Sequence, residues 1–331
     1  MERTTDATRH GQQPPTARRA ARQGTGRRGW AGRLAAAVGI AVLCALPAGA
    51  AGAAGPDGQA GPAPTGDGRP GVAAPLYVSD YGNNRVVTLA PAGGGQTTVP
   101  FEGLVRPTGL AWDAEGRLYV ADTGNNRIVV GAADGSDQQV LPTDGLSRPL
   151  GLAVARNGDL YIADSFNDRV VKVSAADGAQ TTVPTTGLLH PWGLALDPAG
   201  NLYVADFVND RVVRVAADGG GQSTVPATGL SQPTGLALNA AGDLYVSDSG
   251  NNRVVKIPAD GSGQSTVPTS GLSDPLGLAL DGCGSLYIAD GFNNRVVRVP
   301  ESGGGQSTVP SAGLNTPAGL AFPPGPVRPA P

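Results

Sequence analysis

Short apolar segments separated by turn-forming residues recur with a constant period between residues 76 and 322. An Asp closes one apolar segment in each period and returns every 42 residues, at Asp80, Asp122, Asp164, Asp206, Asp248 and Asp290. Tyr, Arg, Gln, Pro and Gly recur at matching offsets around this Asp. A fixed period of about 20–50 residues indicates an array of similar structural units packed against one another.

Each period predicts four short β-strands. In the second period they span residues 108–113, 117–122, 127–131 and 138–141. Residues 113–116 and 133–135 suit tight turns, because Gly adopts positive φ and Asp can cap its own turn. Helical repeats of similar length are excluded, since so many Gly and Pro residues would break their helices.

A four-stranded repeat of this length is the size of one propeller blade, so six periods predict an all-β, six-bladed β-propeller over residues 76–322. The first period, residues 76–100, lacks the strand that begins Pro-x-Gly, whereas an additional copy at residues 317–322 follows the sixth. We therefore expect the C-terminal strand to complete the N-terminal blade. This arrangement would remove the open sheet edges that invite pairing with other chains.

Three sequence blocks recur in phase along the repeats. In the second period these blocks are Pro-Thr-Gly-Leu-Ala at 107–111, Leu-Tyr-Val-Ala-Asp at 118–122 and Gly-Asn-Asn-Arg-Ile at 124–128. The blocks resemble NHL repeats. The chain is similar to the extracytoplasmic sensor domain of bacterial receptor-type serine/threonine kinases, a six-bladed propeller, although its 331 residues include no kinase domain. The resemblance implies binding of a ligand or protein and does not by itself imply catalysis.

The N-terminal residues predict export. Six Arg residues between positions 18 and 33 precede an apolar run at 34–46, and small-residue cleavage sites follow at 48–50 and 51–53. This pattern is typical of a secretory signal peptide, assigned to residues 1–53, and it leaves both the general and the twin-arginine export routes open. An uncleaved anchor over residues 34–54 is the alternative, and it is the one membrane attachment we expect.

Two further segments lie outside the repeats. Residues 54–75 are mostly Gly, Ala, Pro and Asp and predict a flexible linker, and residues 323–331 predict a flexible tail. Beyond the signal peptide the chain has a single cysteine, Cys283, so the exported domain is expected to be stable without a disulfide. The predicted location is secreted or extracytoplasmic.

Composition limits the classes of partner. The chain contains 51 Gly and 29 Pro, yet 40% of its residues are hydrophobic, which is enough for a sizeable core. Its formal net charge is −3, and no basic cluster occurs in the repeats, so nucleic acid is not an expected partner. We expect a monomer that binds a protein or a ligand of the cell envelope.

Positions that recur in every blade are best explained by folding. Asp80 ends a strand and Arg85 opens the next, so the two charges either pair directly or contact a neighbouring blade. A ring of six carboxylates that holds a cation is the functional alternative. Tyr77 and its equivalents are expected to insert between blades, with the ring buried and the hydroxyl bonded.

Positions that break the repeat are the candidates for function. They fall in the hairpin after the repeated Asp and in the Gly-Leu-x-x-Pro link into the next innermost strand, two connections expected on one face of the propeller. Gly holds the second hairpin position in three blades, but Phe or Val holds it in the others. The candidate ligand-binding residues are Phe166, His190, Trp192, Phe207, Val208, Arg148, Tyr81 and Phe292.

These side chains predict an apolar, partly aromatic patch at the mouth of the central channel, with Arg148 beside it. Turn positions normally prefer polar or small residues, so a Phe there needs a packing partner or a binding role. In the alternative interpretation, the rings merely cover adjacent loops and the rim of the channel.

We expect no catalytic residues, no metal and no cofactor. Propeller lyases and hydrolases generally assemble acidic and His side chains around a metal in the channel, whereas the innermost strands here read Gly-Leu-Ala followed by an apolar residue. His190 is the single histidine after the signal peptide. A metal-dependent lyase or lactonase-like enzyme is the alternative function, and a calcium site near Asp168 and Asp210 and a purely structural spacer are weaker ones.

Overall fold

The computed structural model describes residues 74–91 and 95–324 and confirms an all-β, six-bladed propeller. Each blade is a four-stranded antiparallel sheet, and its Pro-x-Gly strand lines the central channel. The signal peptide, most of the linker and residues 325–331 lie outside the described residues, so these domain assignments stay predictions.

The strands are numbered in chain order. The first three belong to the first blade, which the last strand completes, and each of the other blades contains four consecutive strands. They are β1 (Leu76–Asp80), β2 (Arg85–Leu89), β3 (Gln96–Val99), β4 (Pro107–Trp112), β5 (Arg117–Asp122), β6 (Arg127–Ala132), β7 (Gln139–Val140), β8 (Pro149–Val154), β9 (Leu160–Asp164), β10 (Arg169–Val173), β11 (Gln180–Thr182), β12 (Pro191–Leu196), β13 (Leu202–Asp206), β14 (Arg211–Val215), β15 (Gln222–Thr224), β16 (Pro233–Leu238), β17 (Leu244–Asp248), β18 (Arg253–Ile257), β19 (Ser265–Thr266), β20 (Pro275–Leu280), β21 (Leu286–Asp290), β22 (Arg295–Val299), β23 (Ser307–Thr308) and β24 (Pro317–Ala321).

A single 3₁₀ turn connects the second and third strands of each blade. These turns are Tyr81–Asn83, Thr123–Asn125, Ser165–Asn167, Phe207–Asn209, Ser249–Asn251 and Gly291–Asn293. The residue after each turn has left-handed backbone geometry and is Asn or Asp, the non-glycine residues that tolerate this conformation best. Within residues 74–91 and 95–324 no helix is long and apolar enough to span a bilayer.

The C-terminal strand completes the first blade, as predicted. Strand β24 pairs antiparallel with β1, and Val78 lies opposite Leu320. The backbone N–H of Asn315 also donates to Oδ1 of Asp80 at 2.7 Å. The two ends of the repeat array are thereby joined, and the inner edge of the first blade is paired.

A ring of glycines brings the innermost strands close together. A Cβ added at Gly193 would collide with the carbonyl oxygen of Thr234 in the next blade, and one added at Gly319 would collide with that of Thr108. The same clash with backbone occurs at the other four members of the ring, Gly109, Gly151, Gly235 and Gly277. The glycine in the repeated Pro-x-Gly block is therefore required by the approach of neighbouring backbones.

The core lies between adjacent blades, where the repeated apolar residues pack in six clusters. Tyr77 packs with Leu110 and Leu118 of the second blade, and its hydroxyl donates to the carbonyl oxygen of Ala133 at 2.9 Å. This contact confirms, for Tyr77, the predicted insertion between blades.

The repeated Asp organises the hairpin and the link together. In the third blade the fully buried carboxylate of Asp164 accepts hydrogen bonds from Nε of Arg169 at 2.7 Å, from Nδ2 of Asn167 at 2.8 Å and from the N–H of Ser147 at 2.7 Å. The Asp–Arg pair recurs in all six blades at 2.6–2.7 Å. Each carboxylate therefore pairs with the Arg of its own hairpin, the first of the two arrangements expected.

Candidate functional site

The hairpins and the links meet on one face of the propeller, as the strand order predicts. The N–H of Phe166 donates to the carbonyl oxygen of Ser147 at 3.1 Å, and that of Val208 donates to Leu189 at 3.2 Å. The equivalent bond forms in the other four blades at 2.8–3.1 Å. Residues that break the repeat in a hairpin are thus held beside residues that break it in a link.

One link position in every blade has left-handed backbone geometry although none of its residues is glycine. Its φ values lie between 48° and 53° at Arg106, Arg148, His190, Gln232, Asp274 and Thr316. Each N–H at this position is bonded to the side chain of the last hairpin residue in the preceding blade, and His190 N–H donates to Oδ1 of Asp168 at 2.8 Å. Asp210 accepts the N–H of Gln232 in the same way at 2.7 Å. Asp168 and Asp210 therefore accept the same backbone hydrogen bond that an Asn side chain accepts in the other blades.

A cavity of about 470 Å³ opens where these connections surround the channel, and we call it the mouth cavity. Its volume is within the range of small-molecule binding sites. Seven of the eight predicted binding residues line it, namely Tyr81, Arg148, Phe166, His190, Trp192, Phe207 and Val208. The repeat-breaking residues of different blades are thus brought into one site.

The aromatic side of the cavity belongs to the third and fourth blades. The rings of Trp192 and Phe207 lie 5.1 Å apart at a tilt of 36°, and Phe166 and His190 meet edge to face at 4.8 Å. The guanidinium carbon of Arg148 lies 4.6 Å from the centre of the Phe166 ring, within cation–π distance. These contacts fix the aromatic wall before any ligand arrives.

Phe292, the eighth predicted residue, does not line the mouth cavity and is 69% exposed. Its neighbours differ from those of Phe166. Phe166 is flanked by Arg148 and His190, whereas the equivalent positions around Phe292 hold Asp274 and Thr316, which offer neither a guanidinium nor a ring.

The structure adds lining residues that the sequence analysis did not select. Asp274 is the acidic one, and Thr108, Thr123, Leu150, Ser165, Leu276, Thr316 and Ala318 complete the lining. Burial, and secondarily the nearby carboxylate of Asp290, raise the pKa of Asp274. Its position was visible in the sequence, because it occupies the same link position as Arg148 and His190, but its burial was not.

Below the mouth cavity the channel is narrow and apolar. The space enclosed by the innermost strands is about 70 Å³, and Gly and Leu residues of all six blades line it. Trp192 borders both spaces. Any ligand larger than a few waters is therefore confined to the mouth cavity.

Comparison with known families identifies the chain. The virginiamycin B lyase family matches residues 69–307, most of the propeller. The chain belongs to this family. No curated protein matches it.

Solved structures related to this virginiamycin B lyase family member share the propeller fold. A chain in the crystal structure of a nidogen/laminin complex superposes with a TM-score of 0.67 at 21% identity, covering 75% of this chain and 97% of that chain. A streptogramin B lyase gives 0.52 at 20% identity, covering 73% and 75%. A catalytically inactive His-to-Ala variant of virginiamycin B lyase from Staphylococcus aureus, with quinupristin, gives 0.51 at 19% identity, covering 66% and 77%.

Histidine and clustered metal-ligating side chains are sparse among the described residues of this family member. His190 is the one histidine among the described residues, and it lies in the mouth cavity. No group of three or more His, Cys, Asp or Glu side chains within the described part of the chain could hold a metal ion.

Proposed function

We propose that this member of the virginiamycin B lyase family is an extracytoplasmic binding propeller, which recognises a protein or a ligand of the cell envelope through its mouth cavity. The observation that carries the proposal is the convergence of seven repeat-breaking residues on one cavity of about 470 Å³. Residues that serve only folding would be repeated, as the Asp–Arg pairs are.

The polar groups of the cavity favour binding over catalysis. The hydroxyl of Thr123 donates to the carbonyl oxygen of Pro149 at 2.6 Å, and that of Thr108 to Leu150 at 3.1 Å. These hydroxyls are therefore committed to joining blades and are poor nucleophiles. The His190 ring packs edge to face with Phe166. Among the described residues the Asp168 carboxylate accepts the backbone N–H of His190, and no carboxylate is bonded to the imidazole to orient it for catalysis.

Two resemblances support a recognition role. One chain of a nidogen/laminin complex shares the fold, and the NHL-like repeats resemble the sensor domains of bacterial receptor-type kinases. The predicted signal peptide supports export, either as a secreted protein or on the cell surface.

A pull-down from cell-envelope extract tests the proposal. The wild-type domain is compared with the double variant Trp192→Ala, Phe207→Ala and with Phe292→Ala, a matched removal of a ring outside the mouth cavity. We expect a specific component to be retained by the wild type and by Phe292→Ala and lost from the double variant. Equal recovery on all three folded proteins would contradict a role for the mouth cavity.

Family membership raises lyase activity as a second candidate function, because His190 lies in the mouth cavity and a His-to-Ala variant of the Staphylococcus aureus enzyme is inactive. Incubation with quinupristin, followed by liquid chromatography that resolves the cyclic substrate from a ring-opened isomer of the same mass, separates the two functions. Turnover by the wild type that His190→Ala abolishes would favour the lyase. An unchanged quinupristin peak favours the binding propeller.

A further inference from the structure

One carboxylate of the mouth cavity has no partner of its own. The Asp274 side chain is partly buried, and it has neither a hydrogen bond nor an ion pair with any of the residues that the structure describes. Every repeated Asp, in contrast, is bonded to an Arg. A charge withdrawn from water without compensation is unfavourable, and its presence in a cleft is typical of a functional group.

Opposite charge lies on the far side of the cavity. Arg148 occupies the same link position three blades away, which in a six-bladed ring is the diametrically opposite side. Its guanidinium stacks on Phe166 and has no carboxylate partner among the described residues. The cavity is therefore polarised, negative at the sixth blade and positive at the third.

Aromatic rings line the mouth cavity between these two charges. Trp192 and Phe207 lie in the fourth blade and Tyr81 in the first, and all three line the mouth cavity. Trp192 also packs against the core cluster that contains Leu276 and Ala318, which belong to the sixth and first blades. The indole thus reaches from its own blade toward the side of the cavity that holds Asp274.

We propose that the mouth cavity binds an organic cation, a ligand in which a protonated amine is joined to an apolar or aromatic body. The amine pairs with Asp274, and the body packs against Trp192 and Phe207. This inference rests on the proposed binding function and names its ligand class. A protonated amine supplies the hydrogen bonds that the Asp274 carboxylate lacks, and aromatic faces attract cations as well.

The difference in burial between Asp274 and Arg148 determines which of the two charges interacts more strongly with a ligand. Arg148 is exposed at the rim, where solvent and salt screen its field, whereas Asp274 is partly buried and screened less. The positive charge of Arg148 keeps the amine away from the third blade. The amine end of the ligand therefore points to the sixth blade.

Three small probes with the same phenyl body test the ligand class. They are phenethylamine, which is a cation, 2-phenylethanol, which is neutral, and 3-phenylpropionate, which is an anion. Isothermal titration calorimetry at neutral pH measures each Kd. We expect phenethylamine to bind about tenfold or more tightly than 2-phenylethanol, and 3-phenylpropionate to bind most weakly.

The variant Asp274→Asn should remove the preference for the cation. Asn tolerates left-handed backbone geometry, so the link is expected to keep its conformation. Asp144→Asn is the matched control, because it removes an exposed link carboxylate outside the mouth cavity. Arg148→Gln provides a second readout, in which phenethylamine should bind a few-fold more tightly because a repelling charge is gone.

The outcomes distinguish a failure of the proposed ligand class from a failure of the proposed binding role of the mouth cavity. Equal binding of phenethylamine and 2-phenylethanol, both lost in Trp192→Ala, would overturn the inference and leave the proposed cavity intact. Binding of none of the probes, together with equal pull-downs, would overturn both. A cation preference that survives in Asp274→Asn, or phenethylamine binding that weakens in Arg148→Gln, would overturn the role of these charges.

Discussion

At the scale of single residues, this propeller contains two kinds of buried carboxylate, one paired and one unpaired. Asp164 is fully buried and accepts hydrogen bonds from Arg169, Asn167 and the backbone of Ser147. Asp274 is partly buried and accepts none within the described residues. A paired buried charge supports the fold, whereas an unpaired one lowers stability and is retained for another reason.

The pH dependence of stability should reveal this difference. Burial and the Asp290 carboxylate raise the pKa of Asp274 above its ordinary value of 3.8, so the folded state holds the proton more tightly than the unfolded state. The folded state therefore loses stability as pH rises from about 3.8 through the higher folded pKa. Asp274→Asn removes this loss, and we expect it to exceed the wild type in free energy of unfolding at pH 7 but not at pH 3.

Urea unfolding at both pH values measures the effect. Arg148 and His190, which also line the cavity, are present in both the wild type and Asp274→Asn. The difference in free energy of unfolding between the two proteins therefore reports on Asp274. Asp144→Asn, in an exposed link, should show no such pH-dependent gap. A gap of the same size at pH 3 and pH 7 would assign the effect to side-chain shape instead of charge.

At the scale of elements, the close approach of the innermost strands sets the geometry of the mouth. Residues on each side of the ring glycine, such as Trp192 before Gly193, line the space that those strands surround. The glycine ring keeps neighbouring strands in contact, and the hairpins are then bonded to the links above them. The position of the cavity therefore depends on backbone packing beneath it.

Gly193→Ala tests this dependence. The added methyl group would collide with the backbone oxygen of Thr234, an atom that cannot move without shifting a strand, so we expect a loss of about 1–3 kcal/mol in the free energy of unfolding. Gly282→Ala is the matched control, because a methyl group there meets no atom within 4 Å and its φ is not left-handed. An equal effect of the two substitutions, measured by urea unfolding, would contradict a packing role for the ring.

Much of the architecture could be predicted from the sequence because it is specified locally and six times over. The second blade's strands were placed to within one or two residues, although Asp113 belongs to a turn, where it accepts the N–H of Arg117 at 2.8 Å. The closing strand was found because a copy of the Pro-x-Gly block was left over at Pro317. Repetition makes such features visible without knowledge of any tertiary contact.

The candidate site was less predictable because its properties depend on contacts between blades. Phe166 and Phe292 occupy equivalent hairpin positions, but only Phe166 has Arg148 and His190 beside it. The burial of Asp274 likewise depends on packing within the mouth cavity. A repeat alignment can show where the pattern breaks, but it cannot show which of the breaks face each other.

At the scale of the whole molecule, the mouth cavity exists only while the ring is closed. Its lining comes from the first, second, third, fourth and sixth blades, so no single sheet contains the site. The seam between the first and last repeats consists of β24, which pairs with β1 and contributes Ala318 and Leu320 to the adjoining core. Stability and recognition are therefore coupled through this strand.

Truncation after Pro310 should disrupt both properties. It removes β24 and the link that bonds to Asp80, so β1 is left with an open edge and the adjoining core loses Ala318 and Leu320. Exposed apolar surface and an unpaired strand edge favour association between chains. We expect an aggregating, protease-sensitive product that does not bind phenethylamine, whereas truncation after residue 324 retains the whole seam and should match the full-length protein. Light scattering, limited trypsin digestion and thermal melting compare the three proteins, and an unchanged melting curve after truncation at Pro310 would reject the closure as the source of stability.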